Sequence, residues 1–277
     1  MHIISAKQTQ PSYKAGYAKS ASESANPNLW NGLVAAWMPS LGSTGGTLRD
    51  VSGNENHGTL TDMDPATDWV TTEKGLALDF DGSDDYVSLG NGSDWNPGAG
   101  DFTWNGWIYP NDWKISWNPF FVADQTTGGF WLGQITGSRD FVVRAYADTN
   151  LLTATNIAND EWSYVQIVRR NTQAKLYFNN TLVDSDTVTY SFASGNAYLG
   201  SDGGSNPAEK FQGNITNVSI YNRALGDTEL RQLYADSLAP FRQRRSIPFG
   251  ITAAPSFNNW YARPGRTNRI VGSGVHV

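Results

Sequence analysis

FQGNITNVSIYNRALGDTELRQLY, residues 211–234, decides how this chain is read, because it holds one element of each kind with a physical reason for both. Residues 215–221 alternate and are rich in β-branched types, which predicts a strand with Val218 and Ile220 turned inward. Behind a short turn, Leu225, Gly226, Glu229 and Leu230 stand where a helix start places a staple residue, an N-cap, a capping glutamate and the partner of the staple. Leu230, Leu233 and Tyr234 continue at helical spacing, so one short amphipathic helix is expected. No other stretch of the 277 residues carries a comparable pattern, and the fold class is therefore all-β.

Strands are read outward from this stretch at 33–37, 76–80, 86–89, 102–109, 120–123, 130–135, 141–146, 151–154, 162–169, 176–178, 182–183 and 197–199. The DGSDD run at 81–85 supplies the turn residues of one hairpin, and Asn179-Asn180 those of another. Residues 102–109 are apolar on both faces, with Phe102, Trp104 and Ile108 on one and Trp107 and Tyr109 on the other, which predicts a central strand covered twice. The segments from 120 to 154 are spaced as an antiparallel meander, those from 162 to 183 are read as its continuation, and the strand at 215 as the one that closes the sandwich. Trp37, Trp104, Trp107 and Trp162 are assigned to the core.

The glycine and strand ending in IYNRAL, followed by a short helix ending in LY, resemble the C-terminal signature of the laminin-G-like, pentraxin-like branch of the concanavalin A-like jelly rolls. DVSGNENHGTL at 50–60, GLALDFDGSDDYVSLG at 75–90, FTWNGWIYP at 102–110, DEWSYVQIVRR at 160–170 and KLYFNNTLV at 175–183 are similar to further parts of that family, in the family's order. The resemblance spans residues 29–235. It implies an antiparallel two-sheet jelly-roll sandwich with one C-terminal helix, and says little about ligand. Ser163 and Tyr164 stand where a His is common in the family, and Asn179-Asn180 where Asp-Gly is common.

The chain has no cysteine, so disulfides and thiolate metal sites are excluded, and 28 Gly with 11 Trp suit a turn-rich sandwich. Residues 1–27 and 239–277 lack sustained apolar periodicity and are read as extended arms around a domain at 28–238. Charge divides along the same lines. Residues 28–238 hold 11 Lys or Arg against 25 Asp or Glu, whereas 239–277 hold Arg242, Arg244, Arg245, Arg263, Arg266 and Arg269 with no acid. Such asymmetry points to an arm that docks, with Trp260, on an acidic neighbour, of which another copy is the simplest. An acidic body repels phosphate, which argues against nucleic acid. No run of about 20 apolar residues exists for a membrane span, and the N-terminus shows no apolar secretory signal.

Three kinds of site are weighed. For calcium, Asp50, Asn54, Glu55 and Asn56 of the 50–58 loop supply hard oxygens. The resemblance implies a partner acidic pair at the start of the last strand, but Thr216 and Asn217 occupy that place and carry no charge; turn-forming Asp and Asn need no metal. For glycans, Trp95, Trp113 and Trp117 with Asn111, Asp112 and Asn118 lie in loops around the central strand, where aromatic faces and planar polar groups suit sugars, though exposed aromatics mark protein interfaces as readily. For catalysis, glycoside hydrolysis requires two carboxylates flanking the bond, and no strand shows them; His57, His2 and His276 make no nucleophile system. The expectation is a non-enzymatic structural or attachment protein of a phage virion, a capsid decoration or tail component, docking by its arms on other virion proteins or copies of itself. Cell-surface glycans are its expected outward partner, and a free carbohydrate-binding, lectin-like module is the alternative.

Overall fold

The computed structural model describes residues 10–91, 97–112, 117–123, 129–135, 137–145, 149–193, 195–203 and 209–244. In chain order the strands are β1 Leu33–Trp37, β2 Thr47–Leu48, β3 Gly58–Thr61, β4 Trp69–Thr72, β5 Gly75–Asp81, β6 Tyr86–Asn91, β7 Phe102–Pro110 and β8 Asn118–Ala123. They continue as β9 Phe130–Gln134, β10 Phe141–Ala145, β11 Thr149–Ala154, β12 Ser163–Arg170, β13 Gln173–Phe178, β14 Thr181–Thr187, β15 Asn196–Leu199 and β16 Gln212–Tyr221, with one α-helix among the described residues, α1 Asp227–Ala235.

Two antiparallel sheets of eight strands face each other. The first runs β14-β13-β12-β7-β16-β5-β4, with β1 paired to the far half of β16; the second runs β11-β10-β9-β8-β15-β6-β3-β2. Strand β7 is central and covered twice. Phe102, Trp104 and Ile108 enter the cluster between the sheets, while Trp107 joins a second cluster on the outer face under α1. Val218 and Ile220 of β16 point into the inner cluster as predicted.

Two topological expectations are corrected. The segments from 162 to 187 do not extend the β8–β11 meander. They cross to the other sheet, where Val165 lies opposite Gly106 and Ile167 opposite Trp104. Strand β16, expected to close the sandwich, enters the middle of the first sheet, between β7 and β5. Periodicity specifies which residues of a strand are buried but not which strand it hydrogen-bonds. Strands β2, β3 and β4 have weak apolar patterns and were not anticipated. The Asn179-Asn180 turn is confirmed, with φ of 48° and 63° at its two residues, the left-handed pair that a tight hairpin requires.

The α1 start is built as its sequence predicts. Gly226 is the N-cap, the Glu229 carboxylate accepts the Gly226 N–H at 3.0 Å, and Leu225 and Leu230 are buried together. Arg223 grips Glu229 at 2.7 and 2.8 Å and donates to the carbonyls of Asn28 and Asn31. That pairing holds the Glu229 carboxyl below its ordinary pKa and the guanidinium above its own.

The compact unit reaches past the expected limits of 28 and 238 to Arg244. Residues 10–27 lie against their own domain: Tyr13 N–H donates to Leu41, Ala18 N–H to Phe241 and Ala25 N–H to Arg242. Ser24 is buried and donates to the Pro240 carbonyl at 2.6 Å, which Trp30 also reaches at 2.7 Å. Phe241 is fully buried between Tyr17 and Trp30. Among the described residues no helix is long and apolar enough to cross a membrane.

Candidate carbohydrate-binding surface

The residues chosen in sequence for glycan contact do not come together. Trp95 and Trp113 lie outside the described residues. Asn111 and Asp112 are exposed at the end of β7, where the Asn111 N–H donates to the Gln212 carbonyl at 3.0 Å. Asn118 is corrected: it is buried in β8 and its amide donates to Gln134 Oε1, so it faces protein. Trp117 sits on the outer face of the second sheet, its ring 5.6 Å from that of Trp131, and the Arg144 guanidinium stacks over it at 4.5 Å. Val122 and Val142 complete this patch.

A second aromatic surface was missed in sequence. Trp162, assigned to the core, is only half-buried, because it precedes β12 and falls on the outer face of the first sheet. The register that puts Ser163 opposite Ile108 brings Trp162 beside Tyr109, and their rings lie 5.3 Å apart at 53°. Across the next strand Asn214 is opposite Tyr109, and beyond it Asp79 is opposite Asn214. A transverse row of Trp162, Tyr109, Asn214 and Asp79 results, with the Asn214 amide donating to Asp79 at 2.7 Å. Burial, the largest influence, raises the Asp79 carboxyl above the ordinary range, against the pull of that hydrogen bond.

Over this row lies an open groove of about 620 Å³ walled by the Thr71–Lys74 turn and by Asp160 and Glu161. Gly213, beside Asn214, has φ of 137°, and a Cβ there would run into the Tyr109 carbonyl oxygen, so only glycine lets β16 pass at this point. The signal available in sequence was the Trp107–Tyr109 alternation, which leaves Tyr109 on the face away from the core.

The residues chosen for calcium are engaged with protein partners. Both Asp50 oxygens face donors: Oδ1 accepts the Ala36 and Ser52 N–H groups, and Oδ2 the Ser52 hydroxyl and the Asn56 N–H, at 2.8 to 3.0 Å. Asn54 and Asn56 turn their amides onto the Val34 carbonyl. Thr216 donates to Leu76, and Asn217 accepts from the Ser40 N–H at the bulge of β16. A carboxylate ringed by four donors organises its loop.

Elsewhere, Asp81, Asp84 and Asp85 bring one carboxylate oxygen each within 4.8 Å of one another. This grouping is the DGSDD turn itself: Asp81 accepts the Ser83 N–H and Asp85 accepts the Asp81 N–H. Of the expected docking arginines, Arg242 pairs with Asp236 of its own domain, and Arg244 is exposed while its N–H donates to the Glu23 carbonyl. Arg245, Trp260, Arg263, Arg266 and Arg269 lie outside the described residues.

A family model for the concanavalin A-like lectin/glucanases superfamily, Laminin_G_3, matches residues 81–231, more than half of the chain. The chain belongs to this superfamily. Among curated proteins none matches it in sequence. Of solved structures, a Trypanosoma rangeli sialidase matches with a TM-score of 0.56 and 16% identity, over 73% of this chain and 32% of that one. Domain 4 of a GH43 extracellular arabinanase from Geobacillus stearothermophilus, in complex with arabinotriose, matches with a TM-score of 0.53 and 18% identity, over 73% of this chain and 98% of that one. The binding domain of Paraclostridial Mosquitocidal Protein 1 matches with a TM-score of 0.55 and 14% identity, over 74% and 52%. This concanavalin A-like chain thus spans about a third of the sialidase and nearly all of the arabinanase domain. At such identities the likeness establishes the sandwich alone, and neither a ligand nor a reaction.

Proposed function

We propose that this concanavalin A-like domain is a non-enzymatic attachment module of a phage-type virion, a capsid decoration or tail-associated component. Its sandwich meets surface glycans, and the C-terminal segment, with Arg245, Arg263, Arg266 and Arg269, fixes it to neighbouring subunits. What supports the non-enzymatic reading is the state of three of the acids, since Asp50, Asp81 and Asp85 are bound into turns by backbone N–H groups. Glycoside hydrolysis on two carboxylates needs them free on either side of a bond.

The anchoring part rests on charge. All 26 acids lie in residues 10–244, while 245–277 carry Arg245, Arg263, Arg266 and Arg269 and no acid. Light scattering after size exclusion tests it, on the full chain and on a chain trimmed to 10–244. The cut belongs at 244 because a cut at 238 would remove buried Phe241. Assembly of the full chain with a monomeric trimmed form is expected; two monomers would remove the anchoring role. A free lectin-like module is then the surviving reading, favoured by the near-complete overlap with a single arabinanase domain.

A further inference from the structure

We infer that the groove between the Thr71–Lys74 turn and Trp162 is a subsite for a neutral saccharide chain, and that its acidic walls turn away sialylated and uronate-bearing ones. The inference deepens the proposed attachment function and rests on its glycan-binding part.

Four observations converge. The first is shape: the groove is open to solvent and its volume of about 620 Å³ lies within the size range of small-molecule sites. The second is the platform. Trp162 and Tyr109 are half-buried, so their rings are fixed by packing yet present a face to solvent. Trp107 backs Trp162 at 6.5 Å, and the Asp160 N–H donates to the Pro110 carbonyl at 2.8 Å, which pins the turn leading into Trp162. Rings held in this way bind apolar C–H faces at little entropic cost.

The third is the polar complement: Asp160, Glu161 and Glu73 supply acceptors for hydroxyl groups, and Asn214 is oriented by its bond to Asp79. The row from Trp162 to Asp79 crosses three strand spacings, roughly 14 Å, long enough for more than one ring. The fourth is sign. The lining holds three carboxylates against one cation, Lys74, whose ammonium lies 3.8 Å from Glu73 and 4.2 Å over the Trp107 ring. Hydroxyls are welcome in such a field, and a carboxylate on the ligand is repelled. The Trp117 patch differs here, because it carries the Arg144 guanidinium.

The test uses the full chain and titrates arabinotriose, cellotriose, mannotriose and 3′-sialyllactose by calorimetry, with thermal unfolding as a fold control. Binding of at least one neutral trisaccharide is expected, weakened about tenfold by Trp162→Ala and largely retained by Trp162→Phe. The pair Asp160→Asn with Glu161→Gln is expected to raise affinity for sialyllactose severalfold while leaving the neutral ligand nearly unchanged. Neutral binding that survives Trp162→Ala and Tyr109→Ala but is lost in Trp117→Ala overturns this subsite and leaves the attachment function standing. Tight sialyllactose binding by the wild type overturns the charge argument. Absence of binding to every saccharide overturns the subsite and the glycan half of the proposed function together, and a loss of self-association in Trp162→Ala would then assign the groove to a protein partner.

Discussion

Replacing Asp85 by asparagine should make the protein more stable at neutral pH, and the gain should vanish in acid. Asp85 is 5% exposed at the end of the DGSDD turn, where its carboxylate accepts the Asp81 N–H at 2.9 Å. Burial first, and then the neighbouring Asp81, Asp68 and Asp84 charges, push its pKa from 3.8 to about 6 against that hydrogen bond. A raised acid pKa means that the folded state holds a proton more tightly than the unfolded chain, so stability falls as pH rises between about 4 and 6. The full displacement corresponds to about 3 kcal/mol. Asp81 and Asp84 are exposed and screened, which reduces the effect to about 1–2 kcal/mol.

The amide introduced by Asp85→Asn would keep an oxygen for the Asp81 N–H and carry no charge. In a domain of this size that amounts to a rise in Tm of about 2–6 °C at pH 7. The assay is calorimetric Tm of wild type and Asp85→Asn at half-unit steps from pH 4 to 7. The difference between them should grow from near zero to its full value across that range. A constant difference, or a variant less stable at pH 7, would refute the reasoning.

Two further outcomes follow from the fold. Phe241→Ala should cost about 3–5 kcal/mol, since it empties a fully buried ring site between Tyr17 and Trp30; a Tm within about 2 °C of wild type would show that residues 239–244 are not part of the folded unit. Because four donors ring Asp50, a calcium chelator should leave Tm unchanged, whereas Asp50→Ala should cost about 2–4 kcal/mol by leaving buried N–H groups unpaired. A drop in Tm on chelation that calcium restores would reverse this.

Local pattern alone specified a good deal of this molecule. The two-faced β7, the inward Val218 and Ile220, the Asn179-Asn180 turn and the cap of α1 were all legible, because each depends on residues within a few positions of one another. The class of the fold followed from them. Tertiary structure decided what pairs with what. Strands 162–187 joined the first sheet and β16 entered its middle, since an alternating strand buries the same face against either neighbour.

The same limit governed the sites. Asn118 and Asp50 looked like ligand residues because polar side chains in loops do, yet their partners, Gln134 and the Ala36, Ser52 and Asn56 N–H groups, lie on other segments or turn back from the same loop. Trp162 read as core by its type, and only the register against β7 placed it beside Tyr109 at the surface. A groove assembled from β4, β7, β16 and the turn before β12 has no local signature, because its residues span from 71 to 214 and meet only when the sheet forms.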